Sequence, residues 1–192
     1  MSNKFKNKYR IKSTRLQNWD YGSNGMYFIT ICTQNREHFF GEIIDGKMQL
    51  TEIGKMAEKY WHEIPEHFPF VKLGEFVVMP NHMHGIIIID KMDDDAPAMV
   101  ETQNFASLRQ TASSKTASSK NKFGPQSKNL ASIVRGYKIG VTKNARKINA
   151  NFGWQSRFYD HIIRNDKSFN NISNYIINNP KKWDEDKFYN KN

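Results

Sequence analysis

Two histidines one residue apart, His82 and His84, and a tyrosine one helical turn before an asparagine, Tyr175 and Asn179, have the types and spacing that could do chemistry. In an extended strand, side chains two apart share a face. Both imidazoles therefore project together from the stretch Glu75–Asp90, while Met83 between them turns toward a core. Two neutral imidazoles side by side supply most of a divalent-metal site, the kind that polarises a phosphate or a water. A strand also holds them more rigidly than a loop. The same spacing suits a hydrogen-bonded pair at a strand edge, and spacing alone leaves both readings open. On a helix, residues four apart lie one above the other. Tyr175 and Asn179 thus run along one edge of the apolar stripe Phe169, Ile172 and Ile176. If that edge meets the histidines, Asn179 completes the metal shell through its oxygen, and Tyr175 becomes a nucleophile aimed at a phosphate. If it does not, Tyr175 is an amphipathic residue at a core boundary.

The elements that must position these groups follow from periodicity. Met26–Thr33, rich in β-branched and aromatic residues, predicts a buried strand after the turn cluster Tyr21–Gly25. Phe39–Ile44 and Lys47–Leu50 flank Asp45-Gly46, a hairpin signal. Thr51 caps a predicted helix running to Ile64, with Ile53, Met56, Ala57 and Tyr60 at helical spacing and Pro65 as its stop. His62 and His67 belong at its surface. A strand from about Phe70 leads through Pro80-Asn81, read as a short turn or a break, into the strand His82–Asp90. Helical spacing returns with Leu130, Ile133, Val134, Tyr137, Val141 and Ile148, and Lys128, Arg135, Lys138, Lys143, Arg146 and Lys147 crowd the other faces. Phe158–Arg164 predicts another strand, and a helix capped near Asn165 or Asp166 ends by Pro180. This alternation implies an α+β sandwich: an antiparallel or mixed sheet with helices on one face.

Composition bounds the rest. The chain has 192 residues, 38% hydrophobic and 13% aromatic, with a formal net charge of +10. That positive excess favours a polyanionic partner, nucleic acid ahead of a membrane. Cys32 is the only cysteine, which excludes an intramolecular disulfide and a Cys-rich zinc module; it is expected to pack as a small buried residue. The start, MSNKFKNKYR, has no apolar segment of a secretory signal, and Ile86–Ile89 is too short to span a bilayer. A soluble, cytoplasmic protein is expected. Residues 1–20 form a basic arm in which Phe5, Tyr9 and Trp19 alternate with lysine and arginine, suited to tracking phosphates and stacking bases or simply to being solvated. Residues 21–183 read as one domain, interrupted over about 92–128 by a flexible insert with a doubled TASSK, and 184–192 as a polar tail.

Three segments in order, MPNHMHG at 79–85, WQSRFYDHIIRN at 154–165 and NYIINNPKKW at 174–183, resemble the REP-associated tyrosine transposases, a branch of the HUH superfamily of single-tyrosine transposases. The resemblance runs from about Arg10 to Trp183. It implies a ferredoxin-like fold whose central strand carries the metal-binding pair His82 and His84, with Tyr175 as nucleophile and Asn179 as third metal ligand. Mg²⁺ or Mn²⁺ is the expected ion. The implied activity is attack on a phosphate of single-stranded DNA near a hairpin-forming repeat, leaving a 5′-phosphotyrosine and a free 3′-OH, as monomer or homodimer. Trp154, Gln155, Asp160, His161 and Arg164 of the second segment are carried over as fold and DNA contact, not as chemistry. Tyr159 is a rival tyrosine without an evident route to the metal. The insert after Asp90 departs from compact family members. An alternative is a hairpin-binding regulator that does not cut; a plasmid-replication initiator of the same fold is disfavoured because no helicase domain is present.

Overall fold

The computed structural model describes residues 16, 18–91 and 127–189, with the backbone of 4–5 and 8–9. The expected basic arm, taken as a whole, and residues 92–126 of the expected insert lie outside them. The central sheet is built from β1 (Gly25–Cys32), β4 (Val71–Met79), β5 (His82–Ile89) and β6 (Tyr159–Ile163). β2 (Gly41–Ile44) and β3 (Lys47–Leu50) form a separate hairpin. Its turn residues Asp45 and Gly46 sit at φ 51° and 69°, the left-handed pair that an Asp-Gly turn supplies.

Two helices cross over the sheet. α1 (Glu52–His62) is capped by Thr51, whose side chain accepts from Gly54 N, and the short α2 (Ile64–His67) follows with Pro65 in its first turn. α3 (Leu130–Ile148) starts on a reciprocal capping box between Asn129 and Ser132, which satisfies two otherwise orphaned groups. The path β1-α1-β4-β5-α3-β6 and the strand order β4-β5-β1-β6, antiparallel throughout, make a ferredoxin-like α+β sandwich. The sheet is antiparallel rather than mixed, and Pro80-Asn81 is a turn between two strands. β5 is a central strand, so the histidine pair has a paired strand on either side.

The two faces of β5 serve different ends. Met83, Ile87 and Ile89 join Tyr27, Ile29 and Ile31 beneath α1 and α3, which contribute Ile53, Ala57, Trp61, Ile133, Val134, Tyr137 and Val141. Gly85 lies on this face because a Cβ there would stand 2.4 Å from the Trp61 ring. On the opposite face lie His82, His84, Ile86 and Ile88, and here the expectation of helices on one face needs amending. It holds for the crossover helices, but α4 (Asp166–Asn178) packs on the other face, setting Ile176, Phe169 and Ile172 against Ile86, Ile88 and Ile163. Every residue of β5 is buried as a result. Cys32 is buried and unbonded, and His62 and His67 are exposed, as expected. Among the described residues no helix is long and apolar enough to cross a membrane.

Candidate active site

Strand register sets the first contacts. Thr30 lies directly opposite His84, and Cys32 opposite His82. Thr30 Oγ1 is 2.8 Å from His84 Nδ1. Asn81 donates its amide N–H to the Phe188 carbonyl at 2.9 Å, which leaves its Oδ1 to accept from His82 Nδ1 at 2.8 Å. Both rings are thus anchored through Nδ1, and their Nε2 atoms meet 3.1 Å apart. Anchoring one ring nitrogen fixes the direction of the other, and where Nδ1 carries the proton the Nε2 lone pair is available to a metal. Phe28 stacks on the His84 ring at a centroid distance of 5.2 Å. Burial holds the His84 pKa down at about 3 and that of His82 well below the usual range, with His84 itself the next contribution at His82. Both imidazoles are therefore neutral, the form that binds a cation.

α4 brings Tyr175 and Asn179 over this pair. The Tyr175 hydroxyl is 3.2 Å from His84 Nε2, and its ring meets Phe28 edge-on at 6.1 Å. Burial, and after it the Asp186 carboxylate, raises the phenol's pKa. Asn179 is buried, and its Oδ1 has no hydrogen-bond partner among the described residues. A buried amide oxygen without a donor is costly unless something fills the role. Its Nδ2 stands 3.5 Å from Asp186 Oδ2.

Asp186 is the residue that sequence reasoning missed. A short 3-10 helix, Pro180–Glu185, turns the chain back so that one ligand atom each from His82, His84 and Asp186 lies within 4.8 Å of the others. The Phe188 N–H donates to Asp186 Oδ1 at 2.7 Å, and the Phe188 ring covers His82 at 4.6 Å. Residues read as a polar tail thus close over the histidines, which are 0% and 1% exposed. The two imidazoles and the carboxylate could hold a divalent cation, with the Asn179 amide beside the Asp186 carboxylate. The acid-rich WDEDK run after Pro180 was the available signal, but nothing in its spacing says that it doubles back.

The second segment stays apart from the histidines. Trp154 packs with Phe40, Tyr137 and Phe152, and its Nε1 donates to the Lys138 carbonyl. Gln155 N donates to the Cys32 carbonyl. Asp160 sits half-buried on β6 and Arg164 is exposed just beyond it. His161 pairs with Phe28 across the strands, on the same face as the site, and is exposed. Tyr159 shares that face, with its ring against Phe28.

No protein-family model matches the chain. A Haemophilus influenzae protein of uncharacterised role is 42% identical over 93% of this chain and 92% of its own length. A second protein of that organism, named as a candidate REP-associated tyrosine transposase, is 28% identical over 85% of this chain and 74% of its own length. In sequence the chain is thus similar to the REP-associated tyrosine transposases. A solved REP-associated tyrosine transposase, bound to a REP hairpin, aligns over 90% of this chain and 74% of its own, with TM-score 0.49 and 20% identity. In this chain the histidine pair and the tyrosine come together, and the asparagine joins them beside Asp186.

Proposed function

We propose that the chain is a divalent-metal-dependent nuclease and strand transferase that cuts single-stranded DNA at hairpin-forming repeats through Tyr175. The observation that carries this reading is the phenol oxygen 3.2 Å from His84 Nε2, beside a pair of neutral, oriented imidazoles. His82 and His84, with Asn179 Oδ1 and a carboxylate oxygen of Asp186, would hold Mg²⁺ or Mn²⁺. Such an ion, when bound, neutralises charge on the scissile phosphate.

The remaining chemistry falls to the chain. Phe28 packs against both the Tyr175 and His84 rings and keeps the phenol at the site. The raised pKa means that Tyr175 arrives protonated. Its proton leaves to water on the exposed side of the ring as the oxygen attacks phosphorus. The bond from phosphorus to the 3′ oxygen breaks, and that oxygen takes up a proton to leave as a 3′-OH. The product is a 5′-phosphotyrosine ester that retains the bond energy, so a 3′-OH from another strand can attack it and regenerate the phenol. All the named groups belong to one chain, so no helix exchange between subunits is needed. The hairpin-forming repeats are carried over from the similarity to REP-associated tyrosine transposases, and the net charge of +10 suits a polyanion.

A nicking assay tests the proposal: labelled single-stranded DNA carrying a hairpin repeat, with Mn²⁺ or with EDTA. Cutting in Mn²⁺ that is lost in EDTA and in His82→Ala or His84→Ala is the expected result. Tight hairpin binding with no cutting under any metal would instead make the chain a regulator of repeat elements.

A further inference from the structure

A groove of about 430 Å³ opens beside the catalytic tyrosine, between β6 and α4. Phe28 forms the shared wall. Its ring stacks on His84 and meets Tyr175 edge-on, and it also lines the groove. The groove therefore begins one aromatic ring away from the nucleophile. Ile172 and the half-exposed Tyr159 supply further apolar surface, and Tyr159 meets Phe28 edge-on at 6.3 Å. His161 and Asn171, both exposed, add hydrogen-bonding groups along the same cleft. Cations stand at its edges: Lys167 in the lining, and Lys187 with its ammonium 5.9 Å above the Tyr159 ring.

Aromatic faces, amide and imidazole edges, and flanking ammonium groups together match one chemical class, a nucleotide of a single strand. A base has a π-face to stack and a polar edge to read, and its phosphates are anionic. A base held in a duplex is stacked on both sides and cannot enter such a cleft without unstacking. We propose that this groove holds one unstacked nucleobase of the DNA strand adjacent to the phosphate that Tyr175 attacks, with Tyr159 as the stacking platform. The proposal rests on the single-strand DNA reading above. It gives Tyr159 a binding role distinct from that of the nucleophile, and it makes the cleft a source of preference for the base flanking the cut.

The test uses the full chain carrying Tyr175→Phe, so that binding is read without cleavage, and a short oligothymidylate containing 5-iodo-2′-deoxyuridine as probe. Photocrosslinked peptides are mapped by mass spectrometry, and affinity is measured by fluorescence polarisation. The expected result is crosslinking to Tyr159, Phe28 or His161. Tyr159→Ala should weaken binding about tenfold, and Tyr159→Phe, which keeps the ring, should stay within about twofold. Crosslinks confined to the basic face of α3, or an unchanged affinity in Tyr159→Ala, would overturn the proposal. The parent chain is scored in parallel for a covalent adduct. An adduct without groove crosslinks sinks the groove alone; groove crosslinks that depend on the Tyr159 ring, without an adduct, sink the nuclease reading alone.

Discussion

Two imidazole nitrogens 3.1 Å apart share a proton as a hydrogen bond in one tautomer and, with both Nδ1 atoms protonated, turn two lone pairs toward a cation in the other. Thr30 and Asn81 orient the two rings. Replacing Thr30 with valine keeps the shape but frees the His84 ring, and divalent-metal affinity should fall about 10–100-fold by calorimetric titration. The histidines also set a pH dependence. In the unfolded chain each takes up a proton near pH ~6.5, whereas the folded His84 holds out to about 3. Below pH ~6.5 the unfolded state binds more protons, so metal-free stability should fall as pH falls, by up to about 1.4 kcal/mol per pH unit for each imidazole. Melting curves in EDTA between neutral and mildly acidic pH check this, and the slope should flatten in a double His→Gln variant. His82, His84, Tyr175 and Asn179 were legible because each pair is local: two apart on a strand, four apart on a helix. Thr30 and Asp186 were not legible. One reaches the site through strand register and the other through a chain reversal, and neither is written in local spacing.

At the level of elements, β5 is the hinge of the design. Alternation sends His82 and His84 to one face and Met83, Gly85 and Ile87 to the other, and the sequence pattern shows this directly. Gly85 then has a packing reason, because Trp61 of α1 occupies the space a side chain would need. Gly85→Ala should cost about 1–3 kcal/mol in thermal or urea unfolding through overpacking, although the added methyl would point away from the face that carries His82 and His84. The strands and helices were readable from period and caps, with ends displaced by a residue or two. The face chosen by α4 was not. Its apolar stripe says only that it packs against something. The structure puts it opposite α1 and α3, on the histidine side, where Tyr175 must be to reach them.

For the whole molecule, the ferredoxin-like sheet offers one face for the core and one for the site, and the last helix and tail cover the latter. The net charge of +10 favours a polyanionic partner before any residue is assigned. Single-strand DNA affinity of the Tyr175→Phe chain should therefore fall steeply with salt. The slope of log K against log salt should be about −0.7 for each phosphate neutralised, as read by polarisation across a salt series.

The most direct measurement is the chemical identity of the covalent complex. Parent protein is mixed with hairpin-bearing single-stranded DNA and Mn²⁺, digested, and sequenced by tandem mass spectrometry. The predicted result is a nucleotide joined through a 5′-phosphate to Tyr175, absent from Tyr175→Phe. A nucleotide on Tyr159 or another residue, or cutting that persists unchanged in Tyr175→Phe, would contradict the account.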